Sequence, residues 1–92
     1  MALEKTFKAL SDVNRRKILS LLRKKTMNAG EIAKHFEMTS ATLSYHLSLL
    51  KEAGLILESK DKNYRNYSLN TSIFEELLSY LYEFKGEENE KK

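Results

Sequence analysis

Thr39-Ser-Ala-Thr-Leu-Ser-Tyr-His-Leu-Ser-Leu-Leu-Lys-Glu-Ala-Gly54 is followed at once by Leu55-Ile-Leu-Glu-Ser-Lys60 and Tyr64-Arg-Asn-Tyr-Ser-Leu69, and the change of period between them decides the fold. In the first stretch Leu43, Leu47 and Leu50 recur at helical spacing. At about 100° per residue they fall within about 60° of one another, a buried stripe. Ala41, Ser44, Tyr45 and Ser48 fall on the opposite side. Thr39 is the predicted N-cap, and Gly54 is the predicted C′ residue, because glycine enters the left-handed region without strain. Beyond Gly54 the two segments read as short strands around Asp61-Lys62-Asn63, a β-hairpin with a charged tip.

Working toward the N-terminus, Asn28-Ala-Gly-Glu31 has the form of a capping box. It predicts a short helix to about Phe36, with Ile32, Ala33 and Phe36 inward and a tight turn at Glu37-Met38. Ser11-Asp12 supplies N-cap residues for a helix over Val13–Lys24, whose apolar face is Ile18, Leu19, Leu21 and Leu22. Leu3, Phe7 and Leu10, spaced i, i+4, i+7, predict an opening helix. Toward the C-terminus, Asn70-Thr71-Ser72 caps a last helix of about Ile73 to Lys85. The expected order is helix-helix-helix-helix-strand-strand-helix: mainly α with a β-hairpin wing, the layout of a winged helix-turn-helix.

At 92 residues the chain is expected to form one domain over 1–85, followed by a polar, fraying tail over 86–92. A chain this short buries only about 60% of its unfolded surface, so a partner subunit would help it. With no cysteine there are no disulfides, thiolate metal sites or thiol sensors. The N-terminus lacks the apolar core of a signal peptide, and no apolar run approaches the roughly 20 residues of a membrane span, so a cytoplasmic location is expected. Charge is unevenly placed. Residues 71–92 hold six Glu and three Lys, net −3, which leaves residues 1–70 at +6. A basic body points to a polyanionic partner.

The exposed side of the Thr39–Gly54 helix is hydroxyl-rich and almost uncharged in a chain with 32% charged residues. Small hydroxyls and one tyrosine suit close approach to base edges and phosphates in the major groove of double-stranded DNA. Ser40, Ala41, Ser44 and Tyr45 are the candidate base-edge residues, with Thr42 at the margin and Thr39 capping the helix beside a phosphate. Lys60, Lys62 and Arg65 on the hairpin are the candidate backbone or minor-groove contacts. Arg15, beside the apolar face of its helix, and His46, flanking the stripe of its own, are expected to be structural.

Catalysis has little to work with: two His, two Asp and no Cys, none in a nucleophile–base arrangement. No cofactor is expected. Glu31 and His35 have an i, i+4 spacing that can bind a metal, but two ligands make no site and capping accounts for Glu31. The last helix carries an apolar arc of roughly 200°, where one core contact needs only about 100°. Leu77, Tyr80, Leu81 and Phe84, together with Leu3, Phe7 and Leu10, are therefore the candidate dimer interface, with Leu78, Ile73 and Tyr82 completing the arc. An alternative occupant of that arc is a regulatory protein that sequesters the chain, which would make it an interaction module. Metal-responsive regulation is the weakest alternative.

Phe7-Lys-Ala-Leu-Ser-Asp12, Arg15-Arg-Lys-Ile-Leu19, Ala29-Gly-Glu-Ile-Ala33, Ser44-Tyr-His-Leu47, Lys51-Glu-Ala-Gly-Leu55 and Tyr67-Ser-Leu-Asn-Thr71 together resemble the ArsR family, the arsenic-repressor type of winged-helix regulators. The segment Leu69–Phe74 looks most like the metal-independent branch that includes the sporulation-delay autorepressor. The resemblance implies a bacterial homodimer whose first and last helices form the interface and whose two recognition helices meet an inverted repeat. It also implies repression, often of the regulator's own operon. Val13 and Ala41 stand where the family often has proline, and Lys62 where a wing-tip glycine is usual. Without that glycine, Asn63 is expected to take the left-handed position of the turn.

Overall fold

The computed structural model describes residues 3–86. Five helices and three strands follow in the order α1 Leu3–Leu10, α2 Val13–Lys24, β1 Met27–Asn28, α3 Ala29–Ala33, α4 Ser40–Glu52, β2 Ile56–Asp61, β3 Tyr64–Leu69 and α5 Thr71–Lys85. The predicted tail beyond Gly86 lies outside the described residues.

The caps of α2, α3 and α4 behave as their sequences predict, whereas Asn70, expected to cap α5, makes no side-chain capping bond because its amide is turned to the Gly54 carbonyl. The Asp12 carboxylate accepts from the Arg15 amide at 3.0 Å and starts α2. At α3 both halves of the capping box form: Glu31 N–H donates to Asn28 Oδ1 at 2.8 Å, and Asn28 N–H donates to Glu31 Oε1 at 2.9 Å. The end of α4 is a Schellman motif. Leu55 N–H reaches the Leu50 carbonyl and Gly54 N–H the Lys51 carbonyl, each at 3.0 Å, and Leu50 and Leu55 are both fully buried. Gly54 sits at φ 78°, and a Cβ there would meet nothing within 4 Å. Backbone conformation, not space, demands the glycine.

Three further expectations need correction. The third helix stops at Ala33, not near Phe36, because His35 and Phe36 N–H turn back to Ile32 and Ala33 in tighter i→i+3 bonds. Ala33 is exposed, while Phe36 still packs against the core. Second, the sheet has three strands in the order β1-β3-β2, with Met27 opposite Tyr67 and Asn28 opposite Asn66. Asn28 thus joins the sheet and caps α3 at once. Third, Lys62, not Asn63, holds the left-handed position at φ 60°, alone among the described non-glycine residues. Asp61 pairs with Tyr64, so the loop has two residues with only the first at positive φ, the sign pattern of a type II′ turn.

Ile18, Leu19 and Leu22 of α2, Ile32 of α3, Leu43, Leu47 and Leu50 of α4, and Met27, Leu55, Ile56 and Tyr67 around the sheet form the core. Arg15 is buried in it. Its Nε donates to the Ala9 carbonyl at 2.8 Å, its Nη2 to the Lys8 carbonyl at 3.2 Å, and its Nη1 lies 3.1 Å from His46 Nδ1. A guanidinium has no acceptor, so His46 Nδ1 accepts and its ring proton sits on Nε2. One side chain thereby closes the end of α1 and ties it to α4. Arg16 adds a bond to the Leu10 carbonyl at 2.7 Å. Both arginines serve the α1–α2 corner.

The molecule measures 54 × 24 × 22 Å with a radius of gyration of 15.3 Å, where a compact chain of this length has about 12 Å. Of the residues of α5 only Leu77 is buried, and Ile73 and Phe74 are partly so.

Candidate nucleic-acid interface

Thr39 Oγ1 accepts from the Thr42 amide at 3.1 Å and contacts the Thr42 hydroxyl at 3.0 Å, which fixes the first turn of α4. With Leu43, Leu47 and Leu50 turned into the core and His46 held by Arg15, the helix cannot rotate without losing both. Ser40, Ala41, Thr42, Ser44, Tyr45 and Ser48 are all exposed as a consequence. Tyr45 is 58% exposed, its ring centroid 5.8 Å from that of His46. The predicted reading face therefore stands free of the protein.

The wing lies across a cleft from this face. Lys60 is directly opposite Arg65 in the β2–β3 ladder, two like charges on one side of the sheet. Glu58, two residues before Lys60 and opposite Tyr67, occupies that same side. Its carboxylate accepts from Lys51 Nζ at 2.5 Å and lies 3.4 Å from Arg65 Nε. The Lys51 hydrogen bond, reinforced by the charges of Lys51 and Arg65, holds the Glu58 carboxyl below the usual carboxylate range. Tyr67 closes the floor, its phenol pushed upward by burial and by the Glu58 charge. Ser44, Ser48, Lys51, Glu58, Arg65 and Tyr67 line a cleft of about 200 Å³ between helix and wing.

The structure thus brings the α4 residues together on one face and sets Lys60 and Arg65 beside it, with Lys62 exposed at the tip. Sequence reading missed Lys51 and Glu58. Lys51 was within reach, three residues after Ser48 on the exposed row of α4. Glu58 looks like one more solvated charge until the hairpin register places it over α4.

The candidate dimer residues divide. Phe7 and Tyr80 pack ring to ring at 6.0 Å, and Tyr80 meets Phe84 edge-on at 5.1 Å, so α1 and α5 form one apolar strip. Leu81 and Phe84 are exposed on it, Phe84 at 73%, with Leu3, Leu10 and Tyr80 half-buried. Leu77 faces inward and belongs to the subunit. Leu78 and Tyr82, outside the named candidates, are exposed with Leu81 on the same helix. Among the described residues no group of three His, Cys, Asp or Glu could hold a metal ion, and no helix is long and apolar enough to cross a membrane.

Residues 12–57 match the family described as bacterial regulatory protein, arsR family. The chain is 41% identical over 78 residues to the transcriptional repressor SdpR of Bacillus subtilis (strain 168), covering 85% of this chain and 87% of that protein. The crystal structure of an ArsR family transcriptional regulator superposes with a TM-score of 0.87 at 26% identity, covering 98% of this chain and 93% of that one. The homodimeric winged helix-turn-helix DNA-binding domain of Mb0332 from Mycobacterium bovis shares the fold at 24% identity, with a TM-score of 0.74 over 90% of this chain and 77% of that one. Sequence, element order and wing agree: this chain belongs to the ArsR family of bacterial regulatory proteins and is a DNA-binding transcriptional regulator, not an enzyme.

Proposed function

We propose that the chain is a homodimeric repressor of an inverted-repeat operator, its own promoter region among the candidate targets. One observation carries the reading: a hydroxyl-lined face of α4, with Lys51 at its C-terminal end, stands across a cleft from a wing carrying Lys60, Lys62 and Arg65, while the apolar side of α4 is locked in the core. In this reading Ser40, Ala41, Ser44 and Tyr45 meet base edges in the major groove, and Thr39 and Thr42 border a backbone phosphate. Lys60, Lys62 and Arg65 add the wing's charge to that of Lys51 on α4. The exposed strip of Phe7, Leu78, Leu81, Tyr82 and Phe84 takes a second copy about a two-fold axis and sets two reading helices one DNA turn apart. Repression is supported by the likeness to SdpR, and dimerisation by the unburied strip and by the homodimeric Mb0332 domain.

Footprinting on the protein's own upstream region and across genomic fragments tests this. Protection of paired half-sites about 10 bp apart is expected. No protection anywhere at low salt would end the proposal. Within that assay Tyr45→Ala is expected to change sequence preference, and Lys62→Ala to weaken all sequences alike and reduce the salt slope by about 1. Sedimentation of the purified chain separates a second copy from a regulatory protein as the occupant of the α1–α5 strip. A monomer at micromolar concentration would favour the latter.

A further inference from the structure

Glu58 stands where a DNA-binding surface has least use for it. It is a carboxylate at the floor of the helix–wing cleft, 15% exposed at its side chain, between two cations that are 56% and 68% exposed. Pairs of such exposure contribute little to stability, so the fold does not require this one. Both cations reach into the cleft from elements proposed to touch DNA: Lys51 continues the row of Ser44 and Ser48 on α4, and Arg65 belongs to the wing. The hydroxyls and cations that surround the carboxylate are the groups that bind a phosphodiester.

We propose that Glu58 is an internal competitor of the DNA phosphate: it occupies Lys51 and Arg65 in the free protein and must yield them when a backbone phosphate enters the cleft. The proposal rests on the DNA-binding reading above and adds a determinant of selectivity to it. A cation already neutralised by a carboxylate contributes little to long-range attraction and releases few counterions on binding. A loosely docked, non-specific complex therefore gains nothing from Lys51 or Arg65. A complex seated well enough to deliver a phosphate into the cleft gains both. The lowered carboxyl pKa keeps the competitor ionised at neutral pH.

The experiment compares wild type with Glu58→Gln on a mixed-sequence duplex over a range of salt concentrations. Glu58→Gln is expected to bind about three- to ten-fold more tightly at low salt, with a salt slope steeper by about 1. Glu58→Thr, which suits a strand, is expected to show the same gain and guards against a packing defect peculiar to glutamine. In a chain also carrying Lys51→Met and Arg65→Met the gain should vanish, since nothing remains to be released. If the folded Glu58 variants bind no more tightly than wild type, or if the gain persists without the two cations as a simple net-charge effect, the competition is refuted and the DNA-binding reading stands. If neither wild type nor variant binds any duplex at low salt, the DNA-binding reading falls and this proposal with it.

Discussion

Helices α4 and α5 are nearly equal in length, 13 and 15 residues, yet α4 buries four side chains and α5 buries one. Both carry leucines at helical spacing, so periodicity alone does not separate them. What differs is the surroundings. Helix α4 is enclosed by α2, α3 and the sheet, closed at its end by a Schellman turn and pinned by the Arg15–His46 contact. Helix α5 packs Ile73 and Phe74 against the core, buries Leu77, and farther along sets the Tyr80 ring against Phe7 of α1, while Leu78, Leu81, Tyr82 and Phe84 stay exposed. The position of α4 is thus decided within the subunit. In the proposed dimer the exposed apolar surface of α5 finds its cover, so the order of its outer half should depend on protein concentration.

Core truncation should produce the largest effect. Leu47→Ala is expected to cost about 3 kcal/mol in denaturant unfolding, as a buried leucine in a close-packed site does. A cost below about 1 kcal/mol would mean that α4 is far less enclosed than its burial indicates. Next, Leu81→Glu combined with Phe84→Glu should convert a sedimenting dimer to monomer and lower operator affinity at least about a hundredfold, near 2.7 kcal/mol. A dimer that survives both charges would remove α5 from the interface. Arg15→Met should cost about 2 kcal/mol, because it strips donors from the Lys8 and Ala9 carbonyls and from His46 while keeping much of the side-chain volume. Gly54→Ala should cost about 1 kcal/mol through the left-handed backbone alone.

The smallest expected effect is electrostatic. The Arg15 amide hydrogen bond, helped by the charge of Arg15, holds the Asp12 carboxyl below its ordinary value. A carboxylate with a depressed folded pKa contributes stability at pH above its unfolded value, near 3.9, and loses that contribution as pH falls through the folded value. Asp12→Asn keeps a capping oxygen but not the charge. Its melting temperature should therefore lie slightly below wild type at neutral pH and converge with it in acid. A difference that is constant with pH would assign the effect to cap geometry instead.

Most of the body was legible because its signals are local. Asp12, Asn28, Thr39 and Gly54 announce helix ends through the bonds they make within four residues, and the leucine rows follow from the helical period. What escaped depends on partners distant in sequence. Met27–Asn28 is too short for an alternating pattern, and only Tyr67 and Asn66 make it a strand. Ala33 looks like a core residue by spacing, but α3 ends before that spacing applies. Asn70 is a sensible cap by type, yet its amide donates to the Gly54 carbonyl at 2.8 Å and makes no capping bond. Lys62 shows the limit of residue preference: asparagine enters the left-handed region more readily, but the two-residue register assigns the position to lysine. In the candidate site the residue types were readable and their pairing was not, because Glu58 meets Lys51 only once the hairpin folds over α4.

The Asn70–Gly54 bond has a consequence for the spacing of DNA sites. Together with the Asn70 N–H to Leu55 carbonyl bond at 3.0 Å, it latches both ends of the hairpin to the last turn of α4. The base of the wing is thereby held against the end of the proposed reading helix. One added base pair between half-sites displaces the second by about 3.4 Å and rotates it by roughly 35°. With the wing base held in this way, the proposed dimer would meet that change mainly where its two subunits join. In the proposed dimer the latch thus hands the choice of operator spacing to the apolar strip on α1 and α5.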